Sequence, residues 1–158
     1  MTRIAVSGHC GLPPATVGLV EAALRADLAP HAHDLVGLTC LADGADQIFA
    51  RVVLDLGGTF EIVVPAVLYR DSLPASQHAA YDALFAKASV VRRLDFVEST
   101  SESHMAASVD MLADADHLIA VWDGLPSRGY GGTADVVDHA RQQGIPVTVI
   151  WPSGSSRD

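Results

Sequence analysis

The sequence is poor in positive charge: ten lysines and arginines stand against nineteen aspartates and glutamates, which gives a formal net charge of -9. Non-specific binding to DNA or RNA depends on basic side chains that neutralise phosphates and release counterions. We therefore expect no nucleic-acid polymer as a partner. One or two cationic side chains still suffice for a small anion, so the charge does not exclude a nucleotide.

Long apolar runs are also missing. No stretch reaches the ~20 apolar residues that cross a bilayer, which predicts no membrane partner. Residues 1–3 lead directly into a strand-like run at Ile4, without the apolar segment and cleavage site of a signal peptide. Together these absences predict a cytoplasmic protein.

Cysteine is scarce, with Cys10 and Cys40 as its two examples. Their spacing does not fit a pair of metal ligands, and thiols inside cells usually stay reduced. Structural thiols are the favoured interpretation, and an oxidation-sensitive pair is the alternative. The histidines share no common face, so we predict no metal and no other cofactor.

Short β-branched runs alternate with longer segments of helical period, a pattern typical of a parallel sheet covered by helices on both faces. We predict an α/β fold: a single Rossmann-like three-layer domain, with a mainly parallel sheet flanked by helices, over residues 1–152. Residues 153–158 are predicted to form a flexible carboxyl-terminal tail. The predicted strands cover residues 4–7, 35–39, 60–64, 90–91, 117–122 and 146–151. The helical segments lie within residues 13–28, 48–56, 75–88, 105–112 and 134–143.

Glycine-containing loops follow three of the predicted strands, at residues 8–11, 43–46 and 123–133. In a parallel sheet these loops share one edge, and ligands bind there at the point where the strand order reverses. Glycine lets the backbone approach a ligand, and the helix that follows presents free N–H groups to an anion. We predict a binding site at this edge, with His9 contacting the ligand from the first loop.

The strongest signal is the loop of residues 129–133, which contains three glycines and opens a helix. Its backbone amides and the Thr133 hydroxyl can cradle a phosphate, and Arg128 can add a charge-assisted hydrogen bond. In the alternative interpretation, Thr133 serves only as a helix N-cap. Three glycines in five residues exceed what a cap requires, so we favour the phosphate site.

Four acids stand close to these loops. Asp43 and Asp46 either contact ribose hydroxyls or cap the second helix. Asp123 ends a buried strand, where a carboxylate faces the crevice, so we favour a functional role for it. Asp135 lies in the first helical turn after the glycine loop. It is either a nucleophile or base at an anomeric carbon or an ordinary first-turn acid.

Several enzyme motifs are absent from the sequence. It contains no GxxxxGK(S/T) phosphate loop, and its first loop lacks the GxGxxG spacing, which disfavours ATPases and nicotinamide enzymes. No serine stands in the nucleophile-elbow context of a hydrolase. Whether the chain is an enzyme therefore stays open at this point.

Three segments resemble the SLOG superfamily, which unites the DprA/Smf DNA-processing proteins with the LOG phosphoribohydrolases. They are residues 7–9, residues 37–38 together with 42–46, and residues 129–133. The resemblance implies a Rossmann-like domain that binds a nucleotide or a nucleotide-derived small molecule. We predict such binding at the carboxyl edge of the sheet, with a phosphate on the 129–133 loop.

The resemblance to LOG enzymes also implies cleavage of the N-glycosidic bond of a nucleoside monophosphate. Their motif PGGxGTxxE would place Arg128 at the proline, Tyr130 at a glycine and Val136 at the glutamate, with the acid shifted to Asp135. The same stretch resembles nucleoside deoxyribosyltransferases, in which an acid on the helix after such a loop attacks the sugar. The alternative function is therefore an N-glycosidase or nucleoside transferase that uses Asp135, with Asp123 nearby.

The sequence thus gives two sets of candidate residues. The candidate catalytic residues are Asp123 and Asp135. The candidate ligand-binding residues are Ser7, Gly8, His9, Asp43, Gly44, Asp46, Arg128, Gly129, Gly131, Gly132 and Thr133.

The oligomeric state and three arginines need separate mention. We expect a homodimer or higher homo-oligomer, because apolar helices on such sheets often pair. The role of three arginines stays open: Arg70, Arg92 and Arg93.

Overall fold

Strands and helices alternate along the chain, and the computed structural model describes residues 1–157. The strands are β1 Thr2–Gly8, β2 Leu35–Thr39, β3 Thr59–Val64, β4 Val90–Arg93, β5 His117–Val121 and β6 Val147–Ile150. The helices are α1 Pro14–Leu28, α2 Ala45–Asp55, α3 Tyr69–Ser72, α4 His78–Phe85, α5 Ser101–Ala113 and α6 Thr133–Gln142. None of the helices in the described part of the chain is long and apolar enough to span a membrane.

All six strands join one sheet in the order β4-β3-β2-β1-β5-β6, and every neighbouring pair is parallel. The chain builds outward from β1 to β4 and then crosses to the other side of β1 for β5 and β6. The strand order therefore reverses between β1 and β5. The predicted α/β Rossmann-like fold is confirmed, and the sheet is entirely rather than mainly parallel.

The sheet is the middle of three layers. In β1, Ile4 and Val6 join the core under α1, α2 and α4, whereas Ala5 joins the core under α5 and α6. Successive side chains of a strand point to opposite faces, so a strand buried on both faces needs a nearly continuous apolar run. This requirement explains why the strand positions could be predicted from short β-branched runs.

Two helices differ from the prediction. Helix α5 begins at Ser101 rather than near residue 105, because Thr100 and Ser103 form a capping box. The Ser103 N–H donates to the Thr100 hydroxyl at 3.1 Å, and the Thr100 N–H donates to the Ser103 hydroxyl at 2.9 Å. Tyr69, which lies between the predicted helical segments 48–56 and 75–88, begins the single-turn helix α3. A polar helix start and a single turn both escape a search for apolar periodicity.

The predicted tail begins after residue 152, and part of it contacts α1. The Ser156 N–H donates to the Thr16 hydroxyl at 2.9 Å, and that hydroxyl lies 3.1 Å from the Ser156 carbonyl oxygen. These contacts bring Arg157 back toward the carboxyl edge of the sheet, where it reaches His9. Asp158 lies outside the described residues. The division at residue 152 and the flexibility of the tail stay predictions.

The loops after β1 and β2 touch at a glycine. Gly44 has a φ of +82°, and a Cβ atom built on it would lie 2.6 Å from the His9 carbonyl oxygen. The neighbouring Ala45 N–H donates to that same oxygen at 3.2 Å. Only a residue without a side chain fits this contact, so Gly44 fixes how closely the two loops approach.

A matched pair of variants tests this contact, because Gly124 has the same φ of +82° but open space around it. We expect Gly124→Ala to lower the free energy of unfolding by about 1 kcal/mol through backbone strain alone. Gly44→Ala should cost a further 1–3 kcal/mol, roughly, because its methyl group is also overpacked. Urea unfolding measures both, and equal losses would contradict the close contact.

Candidate functional site

A cavity of about 430 Å³ lies at the carboxyl edge of the sheet, where the strand order reverses between β1 and β5. Small-molecule sites typically enclose roughly 300–1,000 Å³. Four of the predicted site residues are not at the cavity wall: Asp43, Gly44, Asp123 and Asp135. The predicted ligand-binding residues that line the cavity are Ser7, Gly8, His9, Asp46, Arg128, Gly129, Gly131, Gly132 and Thr133.

Asp43 and Gly44 lie outside the cavity wall and contact the loop after β1, which forms part of that wall. The Asp43 carboxylate accepts a hydrogen bond from the Gly11 N–H at 3.2 Å, and Gly44 packs against the backbone of His9. Both contacts hold the loop after β1 in place. Both residues lie in the predicted loop, where their contacts support the backbone; their predicted contact with a ligand stays a prediction.

Asp135 braces the glycine loop. Its carboxylate accepts a hydrogen bond from the Gly131 N–H at 2.9 Å, and its own N–H donates to the Ser127 hydroxyl at 3.3 Å. Gly131 has a φ of +85°, and a Cβ there would lie 2.9 Å from the Ser101 carbonyl oxygen. The loop is thereby fixed against the start of α5, with a backbone conformation that glycine adopts readily.

The hydrogen bonds of Asp135 with Gly131 and Ser127 leave other hydrogen-bonding groups at the start of α6 without a protein partner. The N–H groups of Thr133 and Ala134 and the hydroxyl of Thr133 have no hydrogen-bond partner within residues 1–157. Thr133 is only 7% exposed, and both residues line the cavity. A helix start with free amides carries partial positive charge. This end of the cavity is therefore suited to an anion.

His9, Asp123 and Arg157 form a buried polar cluster beside the cavity. His9 Nε2 accepts a hydrogen bond from the Asp123 N–H at 3.1 Å and lies 3.1 Å from Arg157 Nη1. The same nitrogen also lies 3.3 Å from Asp123 Oδ1, and the hydrogen bond that it accepts from the Asp123 N–H requires the neutral ring with its proton on Nδ1. Burial, followed by the nearby Arg157 charge, lowers the pKa of His9 and favours this neutral form.

The Asp123 carboxylate is held within the same cluster. It accepts a hydrogen bond from the Leu125 N–H at 3.0 Å and lies 3.5 Å from Arg157 Nη1. Burial raises the pKa of Asp123, but the Leu125 bond and the neighbouring His9 and Arg157 outweigh it, so the pKa lies below its ordinary value. Asp123 is therefore ionised and compensates the Arg157 charge next to the cavity.

The wall of the cavity formed by α2 and α3 holds a second polar group of residues. Asp46 is 7% exposed, and its Oδ2 accepts a hydrogen bond from the Ala42 N–H at 3.2 Å. Burial raises the pKa of Asp46 to about 7. Tyr69 is 3% exposed, and His104 packs edge-on against its ring at 5.6 Å. Both aromatic residues line the cavity.

Sequence reasoning missed Arg157, Tyr69 and His104 as cavity residues. Arg157 was placed in the predicted tail, and it reaches the cavity only because Ser156 is bonded to Thr16. Tyr69 and His104 come from segments without glycine or strand signals. No local pattern identifies any of the three, because their positions depend on contacts between distant segments.

The three arginines whose role the sequence did not decide lie away from the cavity wall. Arg70 forms two hydrogen bonds of 2.7 Å with Asp82, and Arg93 lies over the ring of Phe85 at 5.4 Å. Arg92 joins an ion-pair network with acids that include Glu61 and Asp110. These pairings give each of the three arginines a structural role.

Both cysteines line the cavity as free thiols. Burial raises the pKa of Cys40 well above its ordinary value, which disfavours the reactive thiolate. The oxidation-sensitive pair stays a prediction. Among the described residues, no three His, Cys, Asp or Glu side chains are grouped as metal ligands.

The raised pKa of Asp46 predicts an unusual pH dependence of stability. A carboxyl group whose pKa rises from its ordinary value of 3.8 to about 7 on folding contributes stability while it is protonated, and that contribution is lost as the pH rises to about 7. Asp46→Asn carries no such group. We therefore expect the free energy of unfolding of this variant, relative to that of the original protein, to increase by about 1.4 kcal/mol per pH unit between about pH 4 and pH 7 and to stay level above pH 7. Urea unfolding at several pH values measures the difference, and a constant difference would contradict the buried acid.

No family model matches this sequence, and no curated protein matches it either. Solved structures do match. DNA processing protein A (DprA) from Streptococcus pneumoniae is 18% identical with a TM-score of 0.69; the match covers 98% of this chain but only 52% of that one. DprA from Helicobacter pylori is 19% identical with a TM-score of 0.69, over 99% of this chain and 68% of that one. The molybdenum cofactor binding protein from Rippkaea orientalis is 15% identical with a TM-score of 0.60, over 94% and 75%.

One of these structures corrects the expectation about nucleic acid. The Helicobacter pylori DprA structure is described by its single-stranded DNA binding mode, so a protein of this fold binds a nucleic-acid polymer. Excluding such a partner from the net charge of -9 was wrong. Net charge averages over the whole surface, whereas single-strand binding depends on a local groove and on stacking.

The predicted homo-oligomer stays a prediction. At identities below 20%, the three structures establish the fold and leave the activity open. DprA is a member of the superfamily that the three sequence segments resemble. The chain therefore shares the Rossmann-like fold of these structures, which is the fold that the resemblance implied.

Proposed function

We propose that this protein binds a nucleotide or nucleotide-derived small molecule in the cavity, with a phosphate at the start of α6. The observation that carries the proposal is the set of unused donors there: the N–H groups of Thr133 and Ala134 and the Thr133 hydroxyl. These groups open into the cavity, and no protein group accepts a hydrogen bond from them, so they are available to a ligand that enters it. A phosphate oxygen would accept hydrogen bonds from all of them.

Two cationic side chains strengthen the case for an anion. Arg128 and Arg157 line the same cavity as the α6 amides. Guanidinium groups make charge-assisted hydrogen bonds to phosphate that are stronger than neutral ones. The positive end of the α6 dipole adds to this potential. The cavity therefore combines the donors and the charge that a phosphate group requires.

The structural neighbours support binding of a small molecule in a general sense. The Rippkaea orientalis protein with this fold is described as a molybdenum cofactor binding protein. The position of the cavity agrees with the rule that open parallel sheets bind ligands where the strand order reverses. Neither observation names the ligand of this chain.

The geometry supports binding better than sugar transfer by Asp135. A nucleophile must reach the anomeric carbon, and the Asp135 carboxylate instead accepts the Gly131 N–H from behind the loop. It is not at the cavity wall. Asp135 as a nucleophile stays a prediction that the variants below separate from the bracing role.

The phosphate site predicts saturable binding of nucleoside monophosphates that depends on Thr133. We expect Thr133→Val, which removes the hydroxyl and keeps the shape, to weaken binding about tenfold, the cost of a hydrogen bond to a charged group. Isothermal titration calorimetry with AMP, GMP, CMP and UMP measures this. Thr148→Val is the matched control, because Thr148 lies on β6, away from the cavity, and its hydroxyl contacts His117 on β5. Equal affinities of the Thr133 variant and the original protein would sink the assignment.

A second pair of variants separates the two roles of Asp135. Asp135→Asn keeps an acceptor for the Gly131 N–H, so we expect it to retain binding, whereas Asp135→Ala removes the acceptor and should weaken binding. Chromatography of the incubated nucleotide should detect no free base with the original protein. Release of free base that Asp135→Asn abolishes while binding persists would instead support the glycosidase.

A further inference from the structure

The chain turns back on itself after β6, and residues 152–157 form a segment that we call the strap. The Ser155 N–H donates to the Pro152 carbonyl oxygen at 3.0 Å, and Gly154 between them has a φ of +93°. A hydrogen bond across four residues and a positive φ at the third residue are typical of a β-turn that favours glycine. The turn sends the end of the strap toward α1, which it contacts through Ser156.

Thr16, in the first turn of α1, holds the strap by both polar groups of the Ser156 backbone. Its hydroxyl accepts a hydrogen bond from the Ser156 N–H at 2.9 Å and donates to the Ser156 carbonyl oxygen at 3.1 Å. Thr16 is 1% exposed, so little water competes for its hydroxyl. It is not at the cavity wall. Thr16 therefore fixes the backbone immediately before Arg157 without reaching a ligand in the cavity.

Arg157 is oriented by one end of its guanidinium group and has donors left at the other. Its Nη1 lies 3.1 Å from His9 Nε2 and 3.5 Å from Asp123 Oδ2. Its Nε and Nη2 have no partner among residues 1–157. The side chain is 20% exposed and lines the cavity. The contacts of Nη1 thus restrict the position of a fork whose remaining N–H groups are available to a ligand.

The remaining donors limit what Arg157 can hold. The N–H groups on Nε and Nη2 are parallel and match two oxygens of one phosphate or carboxylate group. A cationic group would be repelled, and a neutral hydroxyl would pair with only one of the two donors. Asp123 leaves this capacity unused, because its ion pair is made with Nη1. An oxyanion is therefore the chemical class that pairs with the free side of the fork.

We infer that Arg157 is a second binding residue for the anionic group of the ligand and that Thr16 positions it through the strap. The inference rests on the proposed function, because the N–H groups at the start of α6 make the first contacts to that group. The anion is then held by two segments that are distant along the chain, residues 133–134 and residue 157. The affinity consequently depends on Thr16, a residue outside the cavity.

Isothermal titration calorimetry with AMP, GMP, CMP and UMP tests the contact made by Arg157. We expect Arg157→Gln to weaken binding of the tightest of these nucleotides by about tenfold or more, because charge-assisted hydrogen bonds are lost. Arg157→Lys keeps the charge but not the fork, so the loss should be about threefold. Arg141→Gln is the matched control: it removes the same charge from the last turn of α6, outside the cavity, and should keep the original affinity.

A second set of variants tests the positioning by Thr16. Thr16→Val removes the hydroxyl and keeps the shape, so we expect roughly three- to tenfold weaker binding. Thr16→Ser keeps the hydroxyl and should bind as the original protein does. In the Arg157→Gln background, Thr16→Val should cause no further loss, because Thr16 acts through Arg157. A merely structural effect of Thr16 would instead weaken binding equally in both backgrounds.

The original protein allows a measurement that needs no variant. In an NMR titration of the ¹⁵N-labelled protein with inorganic phosphate, the side-chain Nε–H resonance of Arg157 should shift. It should saturate together with the backbone N–H resonances of Thr133 and Ala134, since one anion contacts all three residues at the cavity wall. Thermal unfolding shows which variants are folded. If Arg157→Gln does not fold, the titration decides the inference.

The outcomes separate this inference from the function on which it depends. If a nucleotide binds and Arg157→Gln retains the original affinity, the role of Arg157 is overturned and the phosphate site stands. An Arg157 Nε–H resonance that does not move at saturating phosphate overturns that role as well. Equal losses from Thr16→Val in both backgrounds overturn the positioning by Thr16. Failure of every nucleotide and of inorganic phosphate to bind overturns the proposed function together with this inference.

Discussion

The structure depends on the reversal of strand order between β1 and β5. Connections between parallel strands are almost always right-handed, so a reversal sends successive helices to opposite faces of the sheet. Helices α1 and α2 cover one face and α5 and α6 cover the other. The loops after β1 and β5 therefore separate at the reversal and leave a cavity between them. The site is a consequence of topology before any particular side chain is considered.

The cavity concentrates polar groups that the fold itself does not satisfy. Asp135 and the glycines fix the 129–133 loop, and that bracing leaves the amides of Thr133 and Ala134 unpaired. Asp46 and Tyr69 are similarly buried with unused capacity. A ligand that pairs with these groups gains hydrogen bonds that no other protein group makes with them. The unused donors at the start of α6 thus explain the position of the proposed phosphate.

The fold and part of the site could be predicted from the sequence. Strands buried on both faces must be apolar, and a glycine-rich loop before a helix marks a close backbone approach, so the sheet and the 129–133 loop were evident. Arg157 and Tyr69 could not be found, because one reaches the cavity through a contact of its neighbour with Thr16 and the other through a single-turn helix. The net charge led to the wrong exclusion of a nucleic-acid partner, because it does not describe how charge is distributed over the surface.

The most direct test of the anion site is an NMR titration of the ¹⁵N-labelled protein with inorganic phosphate and with AMP. The account predicts that both ligands shift the amide resonances of Thr133 and Ala134 most, since those N–H groups have no partner until an anion accepts them. AMP should saturate at lower concentration. Saturable binding that leaves both amide resonances unchanged, with shifts confined to residues outside the cavity such as Asp27 on α1 and Thr148 on β6, would contradict the account.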